Sequence, residues 1–244
     1  MTGATQAQDA GLLVLNAGSS SLKFALYRAH DLTLAAAGQV AGLTGEAPRF
    51  GACLADGETS VDEALDGGDH RAATGRVLDW LAEAEGLPPI AAAGHRIVHG
   101  GGRYDRPVRV TPALIADLRG FIPFAPRHQP HNIAGIEALA AIRPDLPQIA
   151  CFDTAFHAHM PPVRQRLPIP RALHEKGVRR YGFHGLSYQS IVARFERIVG
   201  APLPARSVIA HLGAGASLAG VLEGRGVYTS MGFSPLDGLV MASR

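Results

Sequence analysis

The sequence predicts an α/β protein built around two related strand–turn–strand units. Three observations carry this. Leu12 to Tyr27 reads LLVLNAGSSSLKFALY, an apolar run, a small-residue turn and a second alternating strand. Ser207 to Glu223 reads SVIAHLGAGASLAGVLE and repeats that plan roughly 195 residues later. Between them, strand-like and helix-like patterns alternate. The separation is far beyond the roughly 20–50 residues of a solenoid repeat, so it suits two domains that each offer one loop to a shared cleft.

Each turn has a specific chemistry. Small side chains let backbone N–H groups converge on an anion, and hydroxyls and Lys23 add donors and charge to the first turn. A plain polar hairpin tip is the competing reading for one such turn, and the second turn tilts the balance toward phosphate. Neither matches GxxxxGK[ST], and neither opens a helix as GxGxxG does.

Taken in order, Leu32 to Val40 reads as a third strand, and Ala41 to Asp69 as mostly loop and edge structure. Arg76 to Glu85 carries Val77, Leu78 and Leu81 at helical spacing. Ile90 to Val98 is a strand ending in Gly100 to Gly102, and Thr111-Pro112 is a helix start, an N-cap with Pro at N1. His131 to Ile142 is helical, with Ile133, Ile136, Leu139 and Ala140 on one face, and Gln148 to Phe152 is a short buried strand. The Pro- and His-rich segment from Ala155 to Pro170 marks a domain crossing. Leu186 to Val199 is a helix whose apolar stripe is Ile191, Val192, Phe195, Ile198 and Val199.

Composition narrows the function classes. With 244 residues, 47% of them apolar, there is room for one large domain or two modest ones. A net charge of +2 with dispersed basic residues gives no basis for nucleic-acid binding. MTGATQAQDA lacks the pattern of a signal peptide, and no apolar run approaches a membrane span. Cys53 and Cys151 form neither a CxxC pair nor a disulfide framework, which suits a reducing cytoplasm. Eleven histidines raise zinc as an idea, through His157-x-His159 or His95-x3-His99, but no Cys or Glu completes either at a familiar spacing.

Six stretches, LVLNAGSSSLKF, GHRIVHGG, CFDTAFH, YGFHG, HLGAGAS and TSMGFSPLDGLVMASR, fall in one order from Leu12 to Arg244. Together they resemble the motif series of the acetate kinase family. That family shares a duplicated ribonuclease H-like fold with sugar kinases and actin, and βββ–α–β–α–β is what one such domain requires. The resemblance implies a first domain over 1–154 and the opening part of a second, nucleotide-binding domain over 155–244. In the family the polypeptide continues beyond the position of Arg244, so a C-terminal truncation is expected.

The resemblance also implies a reaction and its residues. The reaction is reversible, Mg2+-dependent phosphorylation of acetate by ATP through in-line transfer. Carboxylates are ionised at neutral pH, so such a site needs positioning and electrostatics more than a strong base. Arg96 matches the arginine holding the substrate carboxylate, and Arg244 the arginine stabilising transition-state charge. Asp153 matches the active-site acid/base, His184 the transition-state donor, and Asn16 the magnesium-associated residue. Ser19, Ser21, Lys23 and the stretch His211, Leu212, Gly213, Ala214, Gly215 match nucleotide-phosphate contacts. Val98, Phe183 and Pro235 match the acyl pocket. Two positions depart: Ala214 stands where the family usually has Asn, and Arg127 replaces a pocket leucine. Arg127 would either snorkel outward or change which carboxylate fits. Propionate or another short acid is the alternative substrate, and a non-catalytic binding or assembly fragment is the alternative class. A homodimer is the expected assembly.

Overall fold

Alternation decides the first strand. In β1 (Gly11–Ala17), Leu13, Leu15 and Ala17 are buried on one face, while Leu12, Val14 and Asn16 occupy the other. The structure is a computed structural model that describes residues 10–45, 47–57, 60–65 and 67–242. The chain separates into two units. The first holds the described residues up to Ile97 together with Val108–Arg119 and Pro126–Ala150. The second holds Val98–Pro107, Gly120–Ala125 and the described residues from Cys151 onward.

In the first unit, β2 (Ser21–Arg28), β3 (Leu34–Ala41), β4 (Arg49–Leu54) and β5 (Ser60–Ala64) follow β1 as an antiparallel meander. Helix α1 (His70–Glu83) leads to β6 (Ile90–Ile97), which pairs in parallel with β1. Then come β7 (Val108–Arg109), α2 (Pro112–Gly120), α3 (Gln129–Ile142) and β8 (Gln148–Phe152). Among the described residues the sheet has eight strands in the order β5-β4-β3-β2-β1-β6-β8-β7. Three antiparallel strands beside a parallel one are the expected ribonuclease H-like core.

Two expectations need correction. The segment from Ala41 to Asp69 is not mostly loop, because it supplies β4 and β5. Its small residues, Gly51 and Ala52, weaken the strand signal locally, but burial of Phe50 overrides it. Phe50 packs with Phe24 and Trp80 at centroid distances of 6.0–6.2 Å, and fully burying such a ring is worth roughly 1.5–3 kcal/mol. Helix α1 begins at His70 rather than Arg76, because the Asp69 side chain caps it by accepting from the Ala72 N–H at 2.7 Å. For α2 the Thr111 cap is as expected, with Oγ1 accepting from the Leu114 N–H.

The second unit carries the short helices α4 (Pro162–Gln165) and α5 (Arg171–Glu175), then α6 (Gly185–Val199). Strands β9 (Arg206–Leu212), β10 (Ala216–Leu222) and β11 (Arg225–Thr229) form a three-stranded antiparallel sheet, order β11-β10-β9. This repeats the β1–β3 meander of the first unit. Tyr188, Ile209, Ala219 and Val221 form the core here, with Ile191 and Val192 packed against it. The apolar stripe of α6 does not stay covered: Ile198 is 67% exposed and Val199 56%. Among the described residues no helix is long and apolar enough to cross a membrane.

Candidate active site

In the first unit, the β1–β2 tip has its carbonyls tied inward. Ala17 O accepts from Asn132 Nδ2 at 2.7 Å, Gly18 O from His70 Nε2 at 2.9 Å, and Ser20 O from the Leu43 N–H at 3.0 Å. The Gly18 N–H closes the turn on Ser21 O. A carbonyl only accepts, so His70 carries its proton on Nε2. Burial lowers the His70 pKa, the Gly18 bond opposes this, and the stacked ring of His131, 5.6 Å away, adds to the lowering. What remains on the outside of the tip is donor-rich: Ser19 and Lys23 are exposed and Ser21 is half-buried. Such a rim suits an anion.

Asn16 and Arg96 share the sheet face away from the core. Asn16 Oδ1 accepts from Arg96 Nη1 at 3.3 Å, and Lys23 lies directly across from Asn16 in the strand register. A hard amide oxygen suits Mg2+, which takes few protein ligands and fills its shell with water and phosphate oxygens. Asn16 Oδ1 is an oxygen of that type, and one of its lone pairs is already engaged by the Arg96 guanidinium. Among the described residues no group of three or more His, Cys, Asp or Glu could hold a metal.

In the second unit, the start of α6 is pinned to Asp153. The Gly185 N–H donates to Asp153 O at 2.9 Å, and a Cβ at Gly185 would overlap that carbonyl. Just before it, His184 adopts φ 58 and ψ 20, a left-handed conformation that costs a side-chain-bearing residue about 1–3 kcal/mol and clusters at functional sites. Asp153 is buried, next to His157, whose Nε2 donates to Phe183 O at 3.0 Å. Burial pulls His157 down to about 4, against the opposing effects of the hydrogen bond to the Phe183 carbonyl and the Asp153 charge.

His184 faces the second small loop. Its Nδ1 is 2.8 Å from Ser217 Oγ, and its ring stacks on His211 at 4.0 Å between centroids. His211 Nδ1 in turn meets Ser187 Oγ at 3.0 Å. Leu212, Gly213 and Ala214 are exposed at the tip, and Gly215 is half-buried. Val98 and Phe183 lie in one buried cluster with Ala125, Tyr181, Ala216, Met231 and Met241. Pro235 is half-buried, outside the buried members of that cluster. Arg127 is exposed, and Ala125, two residues earlier, is buried in the cluster instead.

The expected residues therefore gather into three sets. Asn16, Ser19, Ser21, Lys23 and Arg96 belong to the first unit. Val98 and Phe183 form an apolar set in the second, and His184, His211 and the 213–215 loop a polar one. Arg244 lies outside the described residues. The histidines of the zinc idea have other duties: His159 meets Asp105 at 3.3 Å, His95 is buried in the first unit, and His99 sits among Phe121, Phe124, Tyr181 and Phe183. Sequence reasoning missed His70, Asn132, Tyr188 and Ser217. Their partners lie up to 115 residues away, and no local pattern signals them.

Against known proteins, the acetokinase family profile matches residues 11–244. The chain belongs to the acetokinase family. An acetate kinase of Rhodopseudomonas palustris is 50% identical over 240 residues, covering 96% of this chain and 60% of that protein. An acetate kinase of Deinococcus radiodurans is 46% identical over 239 residues, covering 95% and 58%. Among solved structures, a propionate kinase from Francisella tularensis superposes with a TM-score of 0.89 at 36% identity. The Porphyromonas gingivalis acetate kinase gives 0.85 at 35%, and each covers 96% of this chain and 60% of the other. The chain thus spans about 60% of the length of these acetokinase relatives.

Proposed function

We propose that this chain provides the substrate and phosphate-binding part of an ATP-dependent acetate kinase. The observation that supports this best is the sorted tip of the β1–β2 hairpin, with carbonyls inward, Ser19, Ser21 and Lys23 outward, and Arg96 on the adjoining face. In the reaction proposed, a carboxylate oxygen attacks the γ-phosphorus in line. The new bond is C–O–P, the bond to the bridging oxygen breaks, and ADP leaves with that electron pair. No proton need be removed from an ionised carboxylate.

The residues have separable tasks in this reading. Arg96 holds the carboxylate with its planar fork, and Val98, Phe183 and Pro235 shape the acyl side. Lys23, Ser19, Ser21 and the His211–Gly215 stretch bind nucleotide phosphates. His184 donates to the transferring phosphoryl group, Asp153 orients the groups around it, and Arg244 adds charge. Mg2+ bound with the nucleotide, with Asn16 as a ligand, would screen the phosphate charge. The domain division at 154/155, the homodimer and a cytoplasmic setting belong to the same proposal.

Propionate is the second reading, supported by the likeness to a propionate kinase structure. Acyl phosphate formation measured across chain lengths tests both, on this chain and on one extended to the relatives' length. Activity on acetate in either carries the proposal. Activity only on acids of four carbons or more would sink it, and the inert-fragment reading falls if the 244-residue chain turns over at the extended chain's rate.

A further inference from the structure

Tyr188 and Ser217 are fully buried polar side chains with no role in the reaction just described. Their hydroxyls are 2.5 Å apart, and Ser217 Oγ is also 2.8 Å from His184 Nδ1. The three groups form one chain, Tyr188–Ser217–His184, running from the first turn of α6 through the start of β10.

The direction of that chain follows from counting protons. Either hydroxyl of the Tyr188–Ser217 pair could donate, but a fully buried phenol proton needs an acceptor, and Ser217 Oγ stands within hydrogen-bond distance of it. The phenol proton therefore has Ser217 Oγ as its acceptor. Ser217 has one proton of its own, and with Tyr188 donating to it, that proton points at His184 Nδ1. A nitrogen that accepts cannot carry a proton, so the imidazole proton sits on the other nitrogen. We infer that Tyr188 and Ser217 are positioning residues that fix neutral His184 as the tautomer protonated on Nε2.

The placement of Nε2 gives the inference its consequence. The Cε1–Nε2 edge of His184 lies against Gly215 in the small loop, where a Cβ on Gly215 would come within 3.2 Å of Nε2 and 3.3 Å of Cε1. The relay therefore sets a donor, not an acceptor, beside that loop, which is the polarity an anionic oxygen requires. The left-handed backbone at His184 and the ring stacked on His211 hold the same orientation from two further directions. This consequence for phosphate rests on the proposed function, while the proton placement rests on geometry alone.

Long-range 1H–15N imidazole spectra of the chain labelled with [15N]histidine, taken at mildly alkaline pH, test it. The expected result is a pyridine-type Nδ1 and a pyrrole-type Nε2 for His184. In Tyr188→Phe, which keeps the ring and removes the proton donor, Ser217 becomes free to accept, and the signals should move toward a mixture of the two tautomers. Ser217→Ala should do the same, with the phenylalanine variant deciding if the alanine one fails to fold. A protonated Nδ1 in the unsubstituted chain, or an unchanged tautomer ratio in Tyr188→Phe, overturns the inference. Adding ATP separates the two claims: an Nε2–H that is present but unmoved by ATP counts against the kinase reading and leaves the proton placement standing.

Discussion

Asn16 Oδ1 accepts a hydrogen bond from Arg96 Nη1 across the β1–β6 pairing, on the face opposite the core. The amide thus helps to orient the guanidinium without itself adding a formal charge. If Arg96 clamps that carboxylate, Arg96→Lys should lose most of the benefit although charge is kept, because a lysine has no planar fork. Losing a charged hydrogen-bonding partner costs about 1.5–3 kcal/mol, or roughly ten- to a hundred-and-fifty-fold in the carboxylate's kcat/KM. The apparent affinity for ATP should barely change. Steady-state kinetics in a chain extended to the relatives' length decide this, and intact carboxylate kinetics would remove the clamp.

Asn132→Ala should loosen the first hairpin tip, since it deletes the donor to Ala17 O in a buried setting. Leaving a buried carbonyl without its donor costs about 1–3 kcal/mol. Urea denaturation should register that loss, and a change below half a kilocalorie would mean that water replaces the amide.

Ala214→Asn should tighten nucleotide binding. The exposed loop would gain a side-chain donor at the position where the resemblance expects one. A net neutral hydrogen bond is worth about 0.5–1.5 kcal/mol, so the ATP KM should fall roughly two- to twelvefold. Calorimetric titration with ATP offers an independent check, and unaltered affinity would show that the backbone of the loop suffices.

Stability should fall in mild acid. Burial holds His95, His99 and His157 at about 4, well under their ordinary 6.5, with the Arg179 charge adding to the lowering at His99. The unfolded chain takes up protons on these groups below about 6.5, and the folded chain resists until about 4. Their contribution is therefore complete above that upper value and is lost as pH falls through the window. Each group weakens the fold by about 1.4 kcal/mol per pH unit there. Melting temperatures measured across the window should drop steadily, and a flat profile would contradict the assignment.

Self-association should occur through the edge of β9, where Val208 and Leu212 are each 74% exposed. Apolar edges invite pairing, and a lysine on the edge blocks it. Light scattering should report a species larger than a monomer at micromolar concentration, and Val208→Lys should reduce it. A stable monomer without the substitution would refute this.

The parts of the molecule legible in the sequence are those whose cause is local. The β1–β2 hairpin, α2 after Thr111, β8 and most of α6 follow from alternation, a cap or a helical stripe. Strand β4 was hidden because its evidence is long-range: Phe50 belongs to the sheet by virtue of Trp80 and Phe24, not its neighbours. The candidate site divides in the same way. Arg96, His184 and the two small loops are visible as motifs, but the groups that orient them are not. His70 reaches Gly18 across 52 residues and Ser217 reaches His184 across 33, and a linear pattern does not carry such pairings.

The inward-turned carbonyls of Ala17, Gly18 and Ser20 have one more consequence. If the tip binds phosphate as proposed, it would filter the sign of a ligand before its size or shape matters, and the wiring of that filter lies in α1, α3 and the β3–β4 connection rather than in the tip. Changes in how those elements pack would retune what the tip admits with its serines and lysine untouched. Substitutions confined to the serines would change the grip without reversing the polarity.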